Sequence, residues 1–105
     1  QVARHGWLAD YNDPISYLDM WVTKGGNNDA KWSNAEYDSL IKSVKSTNDQ
    51  TVRMADMHKA EKILMDEMPV IPLYFYTHSY LINTNIKNFY ESPLGFDYFM
   101  YATVE

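Results

Sequence analysis

The chain contains no cysteine. Disulfides, thiolate metal sites and cysteine nucleophiles are excluded, but the compartment is not, because many exported bacterial proteins also lack cysteine. Basic charge is scarce: 9 Lys and Arg stand against 14 Asp and Glu, for a net charge of −5. The basic residues are scattered and build no cationic face, which argues against a nucleic-acid partner. No apolar run approaches the roughly 18 residues that would span a membrane. Neither Gly-x-Ser-x-Gly, nor His-Glu-x-x-His, nor a phosphate loop occurs. The three histidines, His5, His58 and His78, have no ligand spacing, so neither a metal nor a cofactor is expected. No internal repeat, low-complexity tract or signal peptide is visible. The chain starts at Gln1 without Met and runs directly into strand-like sequence, which reads as a piece cut from a longer protein.

What is present is an aromatic-rich composition that folds. Of 105 residues, 46 % are hydrophobic and 15 % aromatic, which is enough for one domain at most with a modest core. Nine Tyr and three Trp are many for this length. They read first as core and sheet packing and second as a ligand-facing surface.

Periodicity divides the chain. Residues 2–8 read as a strand ending in Trp7 and Leu8. Residues 14–23 read as a helix with Ile15, Leu18 and Val22 on one stripe, flanked by Met20 and Trp21 and stopped by Gly25-Gly26. Residues 25–32 form a polar loop. Ser33-Asn34-Ala35-Glu36 carries a capping-box signature and opens a helix over 34–46, with Tyr37, Leu40, Ile41 and Val44 as its apolar side. Ser46-Thr47-Asn48-Asp49 is a turn that also offers a cap, and a third helix runs over 50–67 with Met54, Met57, Ala60, Leu64 and Met68 inward. Pro69 and Pro72 forbid more helix. Beyond them, 70–76 and 79–83 read as strands, 84–97 as loop and 98–104 as a last strand. The fold class is α/β: one strand, three helices, then a β-rich part.

The most informative stretch is Val2-Ala3-Arg4-His5-Gly6-Trp7-Leu8-Ala9-Asp10-Tyr11-Asn12-Asp13-Pro14. Asp13 can cap the following helix and Pro14 suits its first position. Asp10 is then left at the mouth of a strand-to-helix turn, beside aromatic side chains. Taken alone, an Asp before a helix is a common turn former. Arg4 and Asp10 are six apart, an even spacing that places both on one side of a strand. Asp10 with Asp13 makes a poor catalytic carboxylate pair, since Asp13 is needed as a cap, and Pro14 breaks any calcium loop starting at Asp10. No set of residues here reads as that of an enzyme.

The wording Gly6-Trp7-Leu8-Ala9-Asp10-Tyr11 with Asp13-Pro14 resembles a segment of the oligopeptide-binding proteins of bacterial ABC importers, extracellular solute-binding protein family 5. The likeness continues through Tyr37-Asp38-Ser39-Leu40-Ile41, through Arg53, Ala60-Glu61 and Leu64, and through Met68-Pro69-Val70-Ile71-Pro72-Leu73-Tyr74. It implies a C-terminal segment of a two-lobed, periplasmic-binding-protein-like (type II) fold. Residues 1–72 would belong to the C-terminal lobe, and the strands of 73–105 would cross back toward the N-terminal lobe. The implied site residues are Asp10 for the peptide's free amino group, Arg4 for its C-terminal carboxylate, main-chain groups of Trp7 and Leu8 along its backbone, and His5 beside them. Asn27-Asn28 look like a paired Asn of the family, with capping ahead of ligand contact as their role. The implied partners are a peptide and the membrane permease. The implied location is the periplasm or the outer face of the cell membrane, with a lipid anchor on the intact protein and self-association of the fragment through its aromatic surface. Siblings bind dipeptides, signalling peptides or other small solutes, and an interaction domain without ligand is the remaining alternative.

Overall fold

The computed structural model describes residues 2–105 and divides the chain into two compact units at Pro72. The first unit is helical. Helix α1, Ile15–Leu18, continues into a 3-10 turn, Asp19–Trp21; α2 is Ala35–Ser46 and α3 is Gln50–Glu67. Local chemistry sets these bounds. The Asp13 carboxylate accepts from the Ile15 amide at 3.0 Å and so caps α1 behind Pro14. The first helix stops at Trp21, short of the expected residue 23, because Val22 turns to an extended backbone and Lys24 adopts a left-handed φ of 61°. Asn34 caps α2, its side chain accepting from Tyr37 N–H at 2.9 Å, so Ser33 is not the cap; its hydroxyl pairs with Thr23 instead. Asp49 caps α3 through Thr51 and Val52, and Met68 ends it at a left-handed φ of 49°.

The three helices enclose one core of Ile15, Leu18, Met20, Trp21, Tyr37, Ile41, Val44, Met57, Ala60 and Leu64. Helices α2 and α3 supply most of it, and Trp7, Trp32 and Val70 pack on its margin. Tyr37 lies at its centre with no exposed surface, and its hydroxyl donates to the Leu18 carbonyl at 2.5 Å. Burial pushes the Tyr37 phenol well above its ordinary pKa, with Asp19 and Asp38 adding to the effect. Two expected core residues are outside. Met68 has left the helical stripe at the cap, and the inward side of the first turn of α3 is taken by Arg53 rather than Met54.

Arg53 ties the unit together. Its Nη2 donates to Asp13 Oδ2 at 2.7 Å, its Nη1 to Gln50 and its Nε to the Val44 carbonyl. The Ile15 amide, then Arg53, holds the Asp13 carboxyl below its ordinary value of 3.8. A depressed folded value means that this contribution is complete above about pH 3.8 and is lost as pH falls through the lower, folded value. Asp13→Asn is therefore expected to lower stability by about 1.5 kcal/mol near neutral pH. The difference from wild type should shrink in melting curves taken below pH 3.8. A pH-independent difference would show that the charge on Asp13 contributes nothing.

The second unit, Leu73–Glu105, contains four two-residue strands: β1 Ile86–Lys87, β2 Tyr90–Glu91, β3 Asp97–Tyr98 and β4 Thr103–Val104. They form two antiparallel pairs. Strand β1 pairs with β4 in the register Ile86–Val104 and Lys87–Thr103, and β2 with β3 in the register Tyr90–Tyr98 and Glu91–Asp97. Gly95 closes the β2–β3 turn at a φ of 79°, where a Cβ would also lie 3.0 Å from the His78 ring. The Phe89 ring meets Tyr80 edge-on and Phe99 at a tilt.

The expected strands at 2–8, 70–76 and 79–83 are not formed, the expected loop at 84–97 contains two strands and part of a third, and the expected strand at 98–104 is interrupted by a turn. The reason is pairing. Strand propensity describes a residue's fit to a pleated surface, whereas a strand exists only with a partner ladder. None of the described residues offers one to these segments, and Phe75 and Leu81 stand fully exposed. The result is a small α/β chain of three helices and a few short strands.

Candidate functional site

The stretch before α1 is folded back onto the helix start by a single buried residue. Ser16 is 2 % exposed. Its carbonyl accepts from the Trp7 indole Nε1 at 2.8 Å, and its Oγ accepts from the Asp10 backbone amide at 3.0 Å. The Asp13 amide closes a turn onto the Tyr11 carbonyl at 2.9 Å, and the Asp13 carboxylate is taken up by Ile15 and Arg53. Of the two carboxylates of this turn, one is structural. The other, Asp10, has its backbone fixed and its side chain exposed, with no hydrogen bond or ion pair on the carboxylate among the described residues.

The other residues singled out in the sequence lie along the same stretch. Trp7 is half-buried against the core, and Leu8 is exposed. His5 leans on the Trp21 ring, centroids 5.6 Å apart, and its Nδ1 lies 3.5 Å from Asp29 Oδ2. Arg4 is exposed. Since residues 2–8 form no strand, strand alternation does not place Arg4 and Asp10 on a common side. The loop that follows the first helix is organised by Asn28. Its side-chain amide donates to the carbonyls of Trp21, Val22 and Trp32 at 3.2, 3.1 and 2.8 Å, and its Oδ1 accepts from Trp32 N–H. Asn28 thus satisfies backbone groups that would otherwise be orphaned, which is a structural task, while Asn27 is exposed. An open cavity of about 600 Å3 lies over this loop, lined by Thr23, Lys24, Trp32 and Ser33 among others, and does not reach Asp10.

No family model matches the chain. Individual relatives do. It is 43 % identical over 103 residues to the oligopeptide-binding protein OppA of Bacillus subtilis, a match that covers 97 % of the chain and 19 % of that protein. The dipeptide-binding protein DppE of the same organism is 41 % identical over 96 residues, covering 91 % of the chain and 18 % of the relative. Its homologues are peptide-binding proteins of the OppA/DppE/MppA family. A third member, the periplasmic murein peptide-binding protein MppA of Escherichia coli, is 34 % identical over 88 residues, covering 84 % of the chain and 16 % of the relative. The chain therefore spans 19 % or less of the length of these three family members. All three are named as binding proteins and none as an enzyme. No helix among the described residues is long and apolar enough to cross a membrane.

Two residues at this site were not singled out by sequence reasoning. Ser16 carries no motif; its one signal is a polar residue between the core positions Ile15 and Leu18. Arg53 was visible as part of the family pattern, but its partner Asp13 lies 40 residues away and only the fold brings them together.

Proposed function

We propose that this chain is the part of a bacterial ABC importer's peptide-binding protein that supplies the counter-charge for the peptide's free amino group. The observation that carries the reading is the state of Asp10: backbone held by Ser16, carboxylate exposed and without a partner among the described residues. An ammonium enclosed in a protein costs several kcal/mol unless it is paired and hydrogen-bonded, and one well-held carboxylate meets both needs with a short charge-assisted bond. Main-chain groups of Trp7 and Leu8 would bond the peptide backbone as an added strand does, which reads the pattern common to all peptides and tolerates their side chains. Arg4 would answer the peptide's carboxylate at a particular length, with His5 beside it. The names of the relatives include both oligopeptides and dipeptides, which supports a peptide as the ligand class; the free amino terminus rests on the reading of Asp10.

In this reading the chain is a C-terminal segment of a two-lobed protein. Residues 1–72 sit in the C-terminal lobe, and 73–105 run back toward the other lobe, whose strands give 70–76 and 79–83 the ladders they lack here. The intact protein works in the periplasm or at the outer face of the cell membrane, held by a lipid anchor, and hands its peptide to the permease. The chain alone is expected to self-associate through the exposed aromatics of the second unit, since large uncovered apolar patches on a monomer favour association.

The test is calorimetry with two proteins and two peptides. The full-length polypeptide carrying this segment is expected to bind a free-amine peptide and to bind its N-acetylated form poorly. The 105-residue chain alone is expected to bind neither measurably. An ion pair to an exposed carboxylate is worth only about 0–1 kcal/mol, because water competes for both partners. Equal binding of the two peptides by the full-length polypeptide would overturn the proposal.

A further inference from the structure

Asp10 can receive an amine only if its backbone holds still, and one side chain does the holding. Among the described residues, the bond from the Asp10 amide to Ser16 Oγ is the only hydrogen bond made by residues 8–10. Ser16 also sits where an apolar residue would be expected, in the core beside Ile15 and Leu18. A hydroxyl buried there is unfavourable unless it is bonded. Its backbone carbonyl meanwhile anchors the Trp7 indole, so one residue fixes both ends of the stretch from Trp7 to Asp10.

We infer that Ser16 is a positioning residue for ligand recognition, its buried hydroxyl fixing the Asp10 backbone so that the carboxylate is presented outward to a ligand amine. The inference rests on the reading of Asp10 as the amine's counter-charge. It separates two functions of one residue. Ser16→Ala removes the acceptor for the Asp10 amide and keeps the carbonyl that holds Trp7. Presentation of the carboxylate should suffer while the tryptophan anchor stays.

The experiment measures affinity of the full-length polypeptide for one peptide in free-amine and N-acetylated forms. The proteins are wild type, Ser16→Ala, Asp10→Ala and the double variant, each with its melting temperature. Ser16→Ala is expected to weaken the free-amine peptide roughly threefold to tenfold, the range of one net hydrogen bond, and to leave the acetylated peptide unchanged. The loss should vanish in the Asp10→Ala background. Ser16→Cys, with a similar volume and a weaker acceptor, should fall between wild type and Ser16→Ala and supports the comparison if the alanine variant folds poorly. Equal weakening of both peptides, or a loss that persists without the Asp10 carboxylate, would make Ser16 merely structural and end the inference. If Asp10→Ala itself leaves the preference for the free amine intact, the reading of Asp10 fails and the role of Ser16 falls with it.

Discussion

Tyr37→Ala is expected to unfold the helical unit at ordinary temperature. The ring has no exposed surface, meets Trp32 edge-on at a centroid distance of 4.9 Å, and donates to the Leu18 carbonyl. Truncating a large buried aromatic costs about 3–5 kcal/mol in lost transfer energy and residual cavity. Losing the hydroxyl's hydrogen bond to the Leu18 carbonyl adds about 0.5–1.5 kcal/mol. A small domain has only about 5–15 kcal/mol to lose. Tyr37→Phe keeps the ring and removes the hydroxyl, so it should cost only the second amount. Changes at Phe75, which is fully exposed, should leave melting of the helical unit unmoved. Circular dichroism at the helix band orders the three variants. A folded Tyr37→Ala protein with an unchanged melting temperature would show that the core is not organised around this residue.

The helices were legible because everything that makes them is local. Asp49 and the apolar positions of 50–67 lie within one stretch, and α3 runs over Gln50–Glu67. Asn34 and Ser33, adjacent in sequence, compete for one cap: both types cap well, and only backbone geometry selects Asn34. The strands were not legible, because a strand is a relation between segments. Val70 to Tyr76 has the composition of a strand and no partner among the described residues, whereas Ile86–Lys87 pairs with Thr103–Val104 across a gap that no local signal marks. The turn around the candidate site divides the same way. Asp13 before Pro14 announces a cap. The tie from Ser16 back to Asp10 spans six residues without a motif, and that from Arg53 to Asp13 spans 40.

Asp10→Ala in the full-length polypeptide is the second change of large expected effect. Removing one partner of an enclosed charge pair costs about 2–5 kcal/mol, much of it from the charge left behind. Every 1.4 kcal/mol is tenfold, so affinity for a free-amine peptide should fall at least tenfold. The fold should be spared, since the Asp10 carboxylate has no bond to lose among the described residues and its backbone amide remains available to Ser16. Asp13→Ala should do the reverse, lowering stability through the lost cap and the lost Arg53 pair without selecting among peptides.

The central claim, that Asp10 is the partner of the peptide amine, is tested most directly by the interaction between two deletions of charge. Wild type and Asp10→Ala are each titrated by calorimetry with a free-amine peptide and with its N-acetylated form. An acetylated terminus carries no positive charge and presents no ammonium to an acceptor-only carboxylate, so the wild type should bind it poorly and the variant should be nearly indifferent. The account predicts strong coupling, with the acetylation penalty large in the wild type and small in Asp10→Ala. Additive effects, with the same penalty in both proteins, would contradict it.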